Sequence, residues 1–281
     1  MNNIVVKSPA KINIGLNIIN KRPDGFHNLE TIFYPINIYD EIRYTISDHF
    51  SFDSNDQNLN IEKTNLIIRT KEEIEKNCNL KLPVEIYLNK NIPIGAGLGG
   101  GSSNAASTLN ALVKLFNLTI SEKHLSAMAL SLGSDVPFFL NPVPSYAESR
   151  GEVITPINLK LEKHLLIVNP GVHIATKWAF GLITPMQPYL SLKSLINKPK
   201  IEFEDLKSLA SNDFEKTVFN HFPEVKEIKE KMLEFGSVFS LMTGTGSTVW
   251  GMFDDEEAAY QTELYFKCKN YFTHIQDTIG L

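Results

Sequence analysis

Hydrophobic and polar residues alternate from Lys11 to Ile18, with Ile12, Ile14, Leu16 and Ile18 on one side and Lys11, Asn13, Gly15 and Asn17 on the other. A period of two predicts a strand with one face in a core. It also puts Lys11 and Asn13 together on the side away from that core, where a solvated strand face is the plain reading. Alternation returns at Ile32, Tyr34, Ile36 and Ile38, then at Ile42, Tyr44 and Ile46, which predicts two or three strands. Short apolar runs at 84–88 and 164–168 predict two more, the second fully buried. Helical spacing appears at Ala105, Leu109, Leu112, Val113 and Phe116. Further helices are predicted from residue 66 with Thr64 or Asn65 as cap, over 122–132 between Ser121 and Gly133, over 213–222, over 224–235 and over 256–268. The polar stretch 48–63 reads as a loop with a short strand, and 183–201 as irregular. Proline and charge increase over 141–160, which places a domain boundary near residue 155.

The helix at 105–116 follows an unusual segment. Positions 95–101 hold five glycines, and Ser102 and Ser103 come next. Glycine permits positive φ and close approach to the backbone. The first turn of a helix leaves amide groups unpaired and carries partial positive charge. A glycine loop entering a helix is therefore suited to a phosphate chain. The two serines can cap the helix, bind an anion or help hold Mg²⁺. No Gly-Lys-Ser/Thr closes the loop, so it is not a Walker A motif. Gly95, Gly97 and Gly100 match G-x-G-x-x-G in form, but the strand at 84–88 ends too early for a dinucleotide fingerprint. The plainer reading is a turn that packs a helix close to a sheet.

Other segments carry chemistry with a plain alternative beside it. Pro23-Asp24-Gly25 is turn chemistry, and Phe26 and His27 after it either pack or hold a base. Lys90 stands before the glycine loop, solvated or reaching a phosphate. Ser134 or Asp135 can cap a short helix with Pro137 near its start. The run Thr243-Gly244-Thr245-Gly246-Ser247-Thr248 before an apolar strand reads alone as a hairpin turn.

Composition narrows the field. The 281 residues suffice for two modest domains, are 43% hydrophobic and 21% charged, and carry a formal net charge of −5. There is no basic excess to suggest nucleic acid as a partner. Cys78 and Cys268 lie far apart without metal-type spacing, as in a reducing compartment. No leader pattern and no apolar run of ~20 residues suggest a membrane partner. A cytoplasmic protein is expected.

The segment Pro93-Ile94-Gly95-Ala96-Gly97-Leu98-Gly99-Gly100-Gly101-Ser102-Ser103 resembles the phosphate loop of the GHMP kinases, named for galactokinase, homoserine kinase, mevalonate kinase and phosphomevalonate kinase. Three other segments resemble one branch of that family: Pro9-Ala10-Lys11-Ile12-Asn13, Arg22-Pro23-Asp24-Gly25-Phe26-His27 and Gly133-Ser134-Asp135-Val136-Pro137-Phe138-Phe139. The run 243–248 resembles the third glycine motif, with threonines for two serines. The resemblance implies an α+β, two-domain fold. Residues 1–155 would form a ribosomal-protein-S5-like nucleotide-binding domain and 156–281 a ferredoxin-like domain.

It also implies an ATP-dependent kinase whose acceptor is a cytidine diphosphate-linked methylerythritol, phosphorylated on its 2-hydroxyl for isoprenoid synthesis without mevalonate. ATP and Mg²⁺ are the expected cofactors, with the metal ligands unassigned. ATP would lie on Pro93 to Ser103, with Asn65 at the adenine. Lys11 and Asp135 take the catalytic places. Asn13, Phe26, His27, Lys90, Phe180, Gly244, Thr245 and Gly246 take the substrate places, with Trp178 an alternative to Phe180. Phe26 departs from the family's tyrosine and lacks its hydroxyl. The expected form is a monomer or weak homodimer. The alternatives are another GHMP kinase of mevalonate or homoserine type, and a non-catalytic nucleotide-binding protein on the same fold.

Overall fold

The computed structural model describes residues 2–61, 64–185 and 190–276. In chain order the elements are β1 (Asn3–Lys21), β2 (His27–Ile46), β3 (Ser51–Ser54), α1 (Gln57–Ile61), α2 (Leu66–Cys78), β4 (Val84–Asn89), α3 (Gly100–Leu115), α4 (Glu122–Leu132) and α5 (Val136–Leu140). There follow β5 (Ser145–Ser149), β6 (Val153–Pro156), β7 (His164–Asn169), α6 (Thr176–Leu182), a 3-10 turn (Leu192–Leu195), α7 (Phe203–Leu209), α8 (Phe214–His221) and α9 (Pro223–Glu234). Last come β8 (Phe239–Met242), β9 (Val249–Phe253), α10 (Glu256–Cys268) and β10 (Phe272–Gln276). The described residues fall into two compact units, one drawn from 1–10, 37–92 and 99–142, the other from 11–36, 93–98 and 143–281. Neither is one continuous stretch, because β1 and β2 each contribute to both.

In the first unit the second half of β2 pairs antiparallel with β4, placing Ile42 opposite Leu88 and Tyr44 opposite Ile86. Strand β3 adds parallel to β4. Residues 32–46, expected as two or three strands, lie in a single strand. The apolar alternation is interrupted by Asp40, which stands at a core-facing position, where it is fully buried and salt-bridged to Lys90 at 2.8 Å. Helix α3 is buried nearly all round. Ala105, Ala106 and Ala111 permit close neighbours, and Leu109 and Leu112 are fully buried. Helices α2, α4 and α5 pack on it. The caps are where the sequence put them: Asn65 before α2, and Ser121 and Gly133 at the ends of α4. The polar stretch 48–63 holds the expected short strand β3 and also α1; residues 62–63 lie outside the described residues.

In the second unit the first half of β2 pairs with β5, and β5 with β6, all antiparallel. The proline- and charge-rich stretch 141–160 holds this β5–β6 hairpin, and Tyr146 and Ala147 in it are buried. A four-stranded sheet has the order β10-β7-β9-β8, antiparallel at every pair. With α6–α9 after β7 and α10 after β9, this is the βαββαβ order of a ferredoxin-like fold. Val225, Ile228 and Met232 of α9 and Phe266 of α10 are buried in one core with Leu166, Val168 and Phe253. Edge strand β10 and helix α7 carry no clear periodicity and were not anticipated. Of the stretch 183–201 expected to be irregular, residues 186–189 lie outside the described residues; the rest holds one 3-10 turn.

Candidate active site

The glycine stretch alternates anchors with turns. Ala96 and Leu98 are buried and pinned through their carbonyls, Ala96 by the Thr248 amide at 3.3 Å and Leu98 by the Lys11 amide at 3.0 Å. Gly95, Gly97 and Gly99 lie in the left-handed region, where a side chain is strained. At Gly97 space is also lacking, because a Cβ there would meet the Thr243 carbonyl oxygen at 2.3 Å. The run 243–248 is the β8–β9 turn, and it backs the glycine stretch directly.

Helix α3 begins earlier than expected, with Gly99 as N-cap and Gly100 as its first residue. The first intrahelical bond is the 2.9 Å contact from the Ser103 amide to the Gly99 carbonyl. The amides of Gly100, Gly101 and Ser102 thus have no i−4 acceptor inside the helix and leave an open first turn, a geometry chemically suited to an anion. The two serines do not cap it. Ser103 is fully buried and accepts a 2.8 Å bond from Ser8 Oγ. Ser102 is half-buried in the first turn.

Lys11 and Asn13 sit side by side, as the alternation of β1 requires, but not in solvent: they are 3% and 2% exposed. Lys11 Nζ donates to Asn13 Oδ1 at 2.6 Å and to the Gly97 carbonyl at 3.3 Å, and lies 5.2 Å from the centre of the Phe33 ring. Asn13 Nδ2 donates to Thr31 Oγ1 at 2.8 Å. The Asn13 amide donates to Thr243 Oγ1 at 2.9 Å, and Trp250 Nε1 donates to the Asn13 carbonyl at 3.1 Å. Both faces of β1 are covered here. This web holds Lys11 Nζ in a fixed position.

Lys90 is committed locally. Its ammonium contacts Asp40 Oδ2 at 2.8 Å and the Ile92 carbonyl. Asp40 Oδ1 accepts from the amides of Asn91 and Ile92, each at 2.8 Å. Burial pushes the Lys90 ammonium below the usual lysine range, against the pull of Asp40. The same ammonium lies 3.2 Å from the position a Cβ would take on Gly100, at the start of α3.

Asn65 is buried, and its Oδ1 caps α2 by accepting from the Ile67 amide at 2.9 Å. Asp135 is half-buried at the N-terminal end of α5 and makes no side-chain cap bond to it. His27 and Phe180 come together with ring centres 5.3 Å apart, and Phe214 meets Phe180 edge-on at 4.8 Å. Burial, helped by the charge of Lys21, lowers the His27 pKa from its ordinary value of 6.5, so the imidazole is neutral at pH 7. Phe26 is half-exposed and has the Arg150 guanidinium 4.5 Å over its ring, so one of its faces is already taken. Trp178 packs edge-on against His221 and Phe222. Sequence reasoning did not single out Thr31 or Arg150, and it named Thr243 only as part of the run 243–248. Thr243, a hydroxyl directly before Gly-x-Gly, is the one with a readable signal.

The chain matches two family models, GHMP kinases N terminal domain over residues 65–141 and GHMP kinases C terminal over residues 192–271. A 4-diphosphocytidyl-2-C-methyl-D-erythritol kinase of Bacteroides fragilis is 42% identical over 271 residues, covering 91% of this chain and 97% of the relative. One from Chlorobium limicola is 38% identical over 276 residues, covering 97% and 96%. A crystal structure of 4-(cytidine 5'-diphospho)-2C-methyl-D-erythritol kinase superposes with a TM-score of 0.81 at 29% identity, covering 97% of this chain and 98% of that one.

Proposed function

The chain belongs to the GHMP kinases, and we propose that it transfers the γ-phosphoryl group of ATP to the 2-hydroxyl of 4-diphosphocytidyl-2-C-methyl-D-erythritol. It is an ATP-dependent small-molecule kinase with a two-domain α+β fold. The two family matches fall on either side of residue 155, which supports 1–155 as the ATP-binding domain and 156–281 as its partner. The observation that carries the reading is the open first turn of α3 behind three left-handed glycines, in a chain whose relatives are named for this reaction over nearly their whole length.

Phosphoryl transfer passes through a loose transition state, so catalysis is mainly positioning and stabilisation of negative charge. The amides of Gly100, Gly101 and Ser102 hold phosphate oxygens. Lys11, oriented by Asn13 and the Gly97 carbonyl, supplies fixed positive charge. Asp135 takes the proton of the acceptor hydroxyl, a role worth about 10²–10⁴-fold. His27 and Phe180 hold the cytosine ring, with Phe26 offering its remaining face. Gly244, Thr245 and Gly246 shape the turn that supports the glycine stretch. Among the described residues no group of three or more His, Cys, Asp or Glu side chains is placed to hold a metal ion. That fits Mg²⁺, which commonly arrives on nucleotide phosphates with few protein ligands; Ser102 is the hydroxyl best placed to add one. When bound, the ion neutralises phosphate charge. Among the described residues no helix is long and apolar enough to cross a membrane. The reading carries with it a cytoplasmic enzyme, monomeric or weakly dimeric.

The test is ADP release coupled to a detector enzyme, with Mg-ATP and 4-diphosphocytidyl-2-C-methyl-D-erythritol, and with mevalonate and homoserine in parallel. Turnover with the cytidyl acceptor alone is expected. Turnover with another alcohol would retain the kinase and discard the cytidine pocket. ATP binding without turnover would favour a non-catalytic protein.

A further inference from the structure

A chain of side-chain hydrogen bonds runs from Lys11 to a backbone carbonyl. Lys11 Nζ donates to Asn13 Oδ1 at 2.6 Å. Asn13 Nδ2 donates to Thr31 Oγ1 at 2.8 Å. Thr31 Oγ1 donates in turn to the Gly15 carbonyl at 2.6 Å. Thr31 is fully buried, and Lys11 and Asn13 are nearly so. All four residues belong to the second unit.

The two ends of the chain dictate every role between them. A carbonyl oxygen only accepts, and an ammonium only donates. The single hydroxyl proton of Thr31 is committed to Gly15, so the Thr31 oxygen must accept from Asn13. The Asn13 amide therefore turns Nδ2 to Thr31 and Oδ1 to Lys11. Thr243 does not choose this direction. Its Oγ1 lies 3.2 Å from Asn13 Oδ1 and 3.2 Å from the Gly97 carbonyl, and a hydroxyl can face either end of an amide. Without the Thr31 hydroxyl nothing opposes a half-turn of the Asn13 amide, which would set its NH₂ group against the Lys11 ammonium, donor against donor.

We infer that Thr31 is a positioning residue for phosphoryl transfer: its hydroxyl locks the Asn13 amide, and the locked amide aims the Lys11 ammonium. The inference rests on the ATP-kinase reading, in which Lys11 supplies positive charge, and adds to it the residue that fixes where that charge stands. A misplacement of about 1 Å in a catalytic group costs about 10²-fold in rate, so a hydroxyl that acts only through Asn13 still governs turnover.

The test is a mutant cycle read by ADP release with Mg-ATP and 4-diphosphocytidyl-2-C-methyl-D-erythritol. It compares the wild type, Thr31→Val, Thr31→Ser, Asn13→Ala, and Asn13→Ala combined with Thr31→Val. Thr31→Val keeps the shape and removes the hydroxyl. Its kcat is expected to fall about 10- to 100-fold, with the KM for ATP within about threefold of the wild type. Thr31→Ser keeps the hydroxyl and is expected to hold kcat within about threefold. Once Asn13 is alanine, Thr31→Val is expected to lower kcat by less than about twofold, because the group it acts through is gone. A hydroxyl that merely supported the fold would lower kcat alike in both backgrounds. Unchanged kcat in Thr31→Val, an equal fall in Thr31→Ser, or an undiminished effect in the Asn13→Ala background overturns the inference. Failure of Thr31→Val to fold would put the hydroxyl in the service of the fold and overturn it too. Absence of any turnover in the wild type would instead sink the kinase reading beneath it.

Discussion

Gly97 and Thr243 approach so closely that a Cβ on the glycine would stand 2.3 Å from the threonine carbonyl oxygen. Thr243 Oγ1 also lies 3.2 Å from the Gly97 carbonyl. The contact joins segments 146 residues apart in sequence and makes the shape of the glycine stretch depend on the β8–β9 turn. Gly97→Ala adds a left-handed strain of about 1–2 kcal/mol and forces the two segments apart. The expected outcome is a melting temperature several degrees lower and a large loss of ADP release. Wild-type activity in this variant would show that the contact does not set the loop.

Asp135→Asn removes the proposed base and keeps the shape. Turnover is expected to fall about 10²–10⁴-fold, with ATP affinity and melting temperature unchanged. Near-normal turnover would take the role away from Asp135. Lys11→Met has a different signature, because Lys11 is buried and bonded to Asn13 and Gly97. It is expected to lower both turnover and stability.

Much of this was legible in the chain. The caps Asn65 and Ser121 declare themselves, and so do the helix at 256–268 and the motif segments, because local chemistry fixes them. What was not legible depends on partners distant in sequence. Asp40 hides the continuity of β2, since a carboxylate at a core position reads as a break until Lys90 is seen beneath it. Lys11 and Asn13 read as a solvated face, since no pattern in β1 tells that the β8–β9 turn and Trp250 cover them. Arg150 over Phe26 joins residues 124 apart, as 150 − 26 gives, beyond any local rule.

Phe180 is held between His27 and Phe214, and its truncation is expected to act on the acceptor. Phe180→Ala should raise the KM for the cytidyl acceptor several-fold more than the KM for ATP. Loss of one aromatic contact is worth about 0.5–1.5 kcal/mol beyond the area it buries. An unchanged acceptor KM would move the cytosine ring elsewhere.

Lys90 offers two separable outcomes. Its side chain is 9% exposed and that of Asp40 is fully buried, and removing one partner of a buried pair costs about 3–5 kcal/mol. Lys90→Met is therefore expected to destabilise the protein strongly in urea denaturation, and Lys90→Met with Asp40→Asn to recover part of the loss. If Lys90 instead serves mainly to bind substrate, the single variant will keep its stability and show a raised KM.

His27 gives the protein a pH dependence of known sign. Its pKa is lowered in the folded state, first by burial and then by the charge of Lys21, so the unfolded chain takes up the proton first as pH falls. Stability due to this group is full above the unfolded value of about 6.5. It declines as pH drops below that value and levels off once the folded pKa is passed. His274 is shifted the same way, by burial against the opposing charge of Glu263, so wild-type unfolding alone cannot separate the two. The difference between wild type and His27→Gln can. Between pH 8 and pH 5 the wild type is expected to lose more stability than His27→Gln, with the gap opening below about pH 6.5. Parallel stability curves for the two proteins would show that the His27 imidazole is as easily protonated in the fold as out of it, and that it does not meet the cytosine as a buried neutral ring.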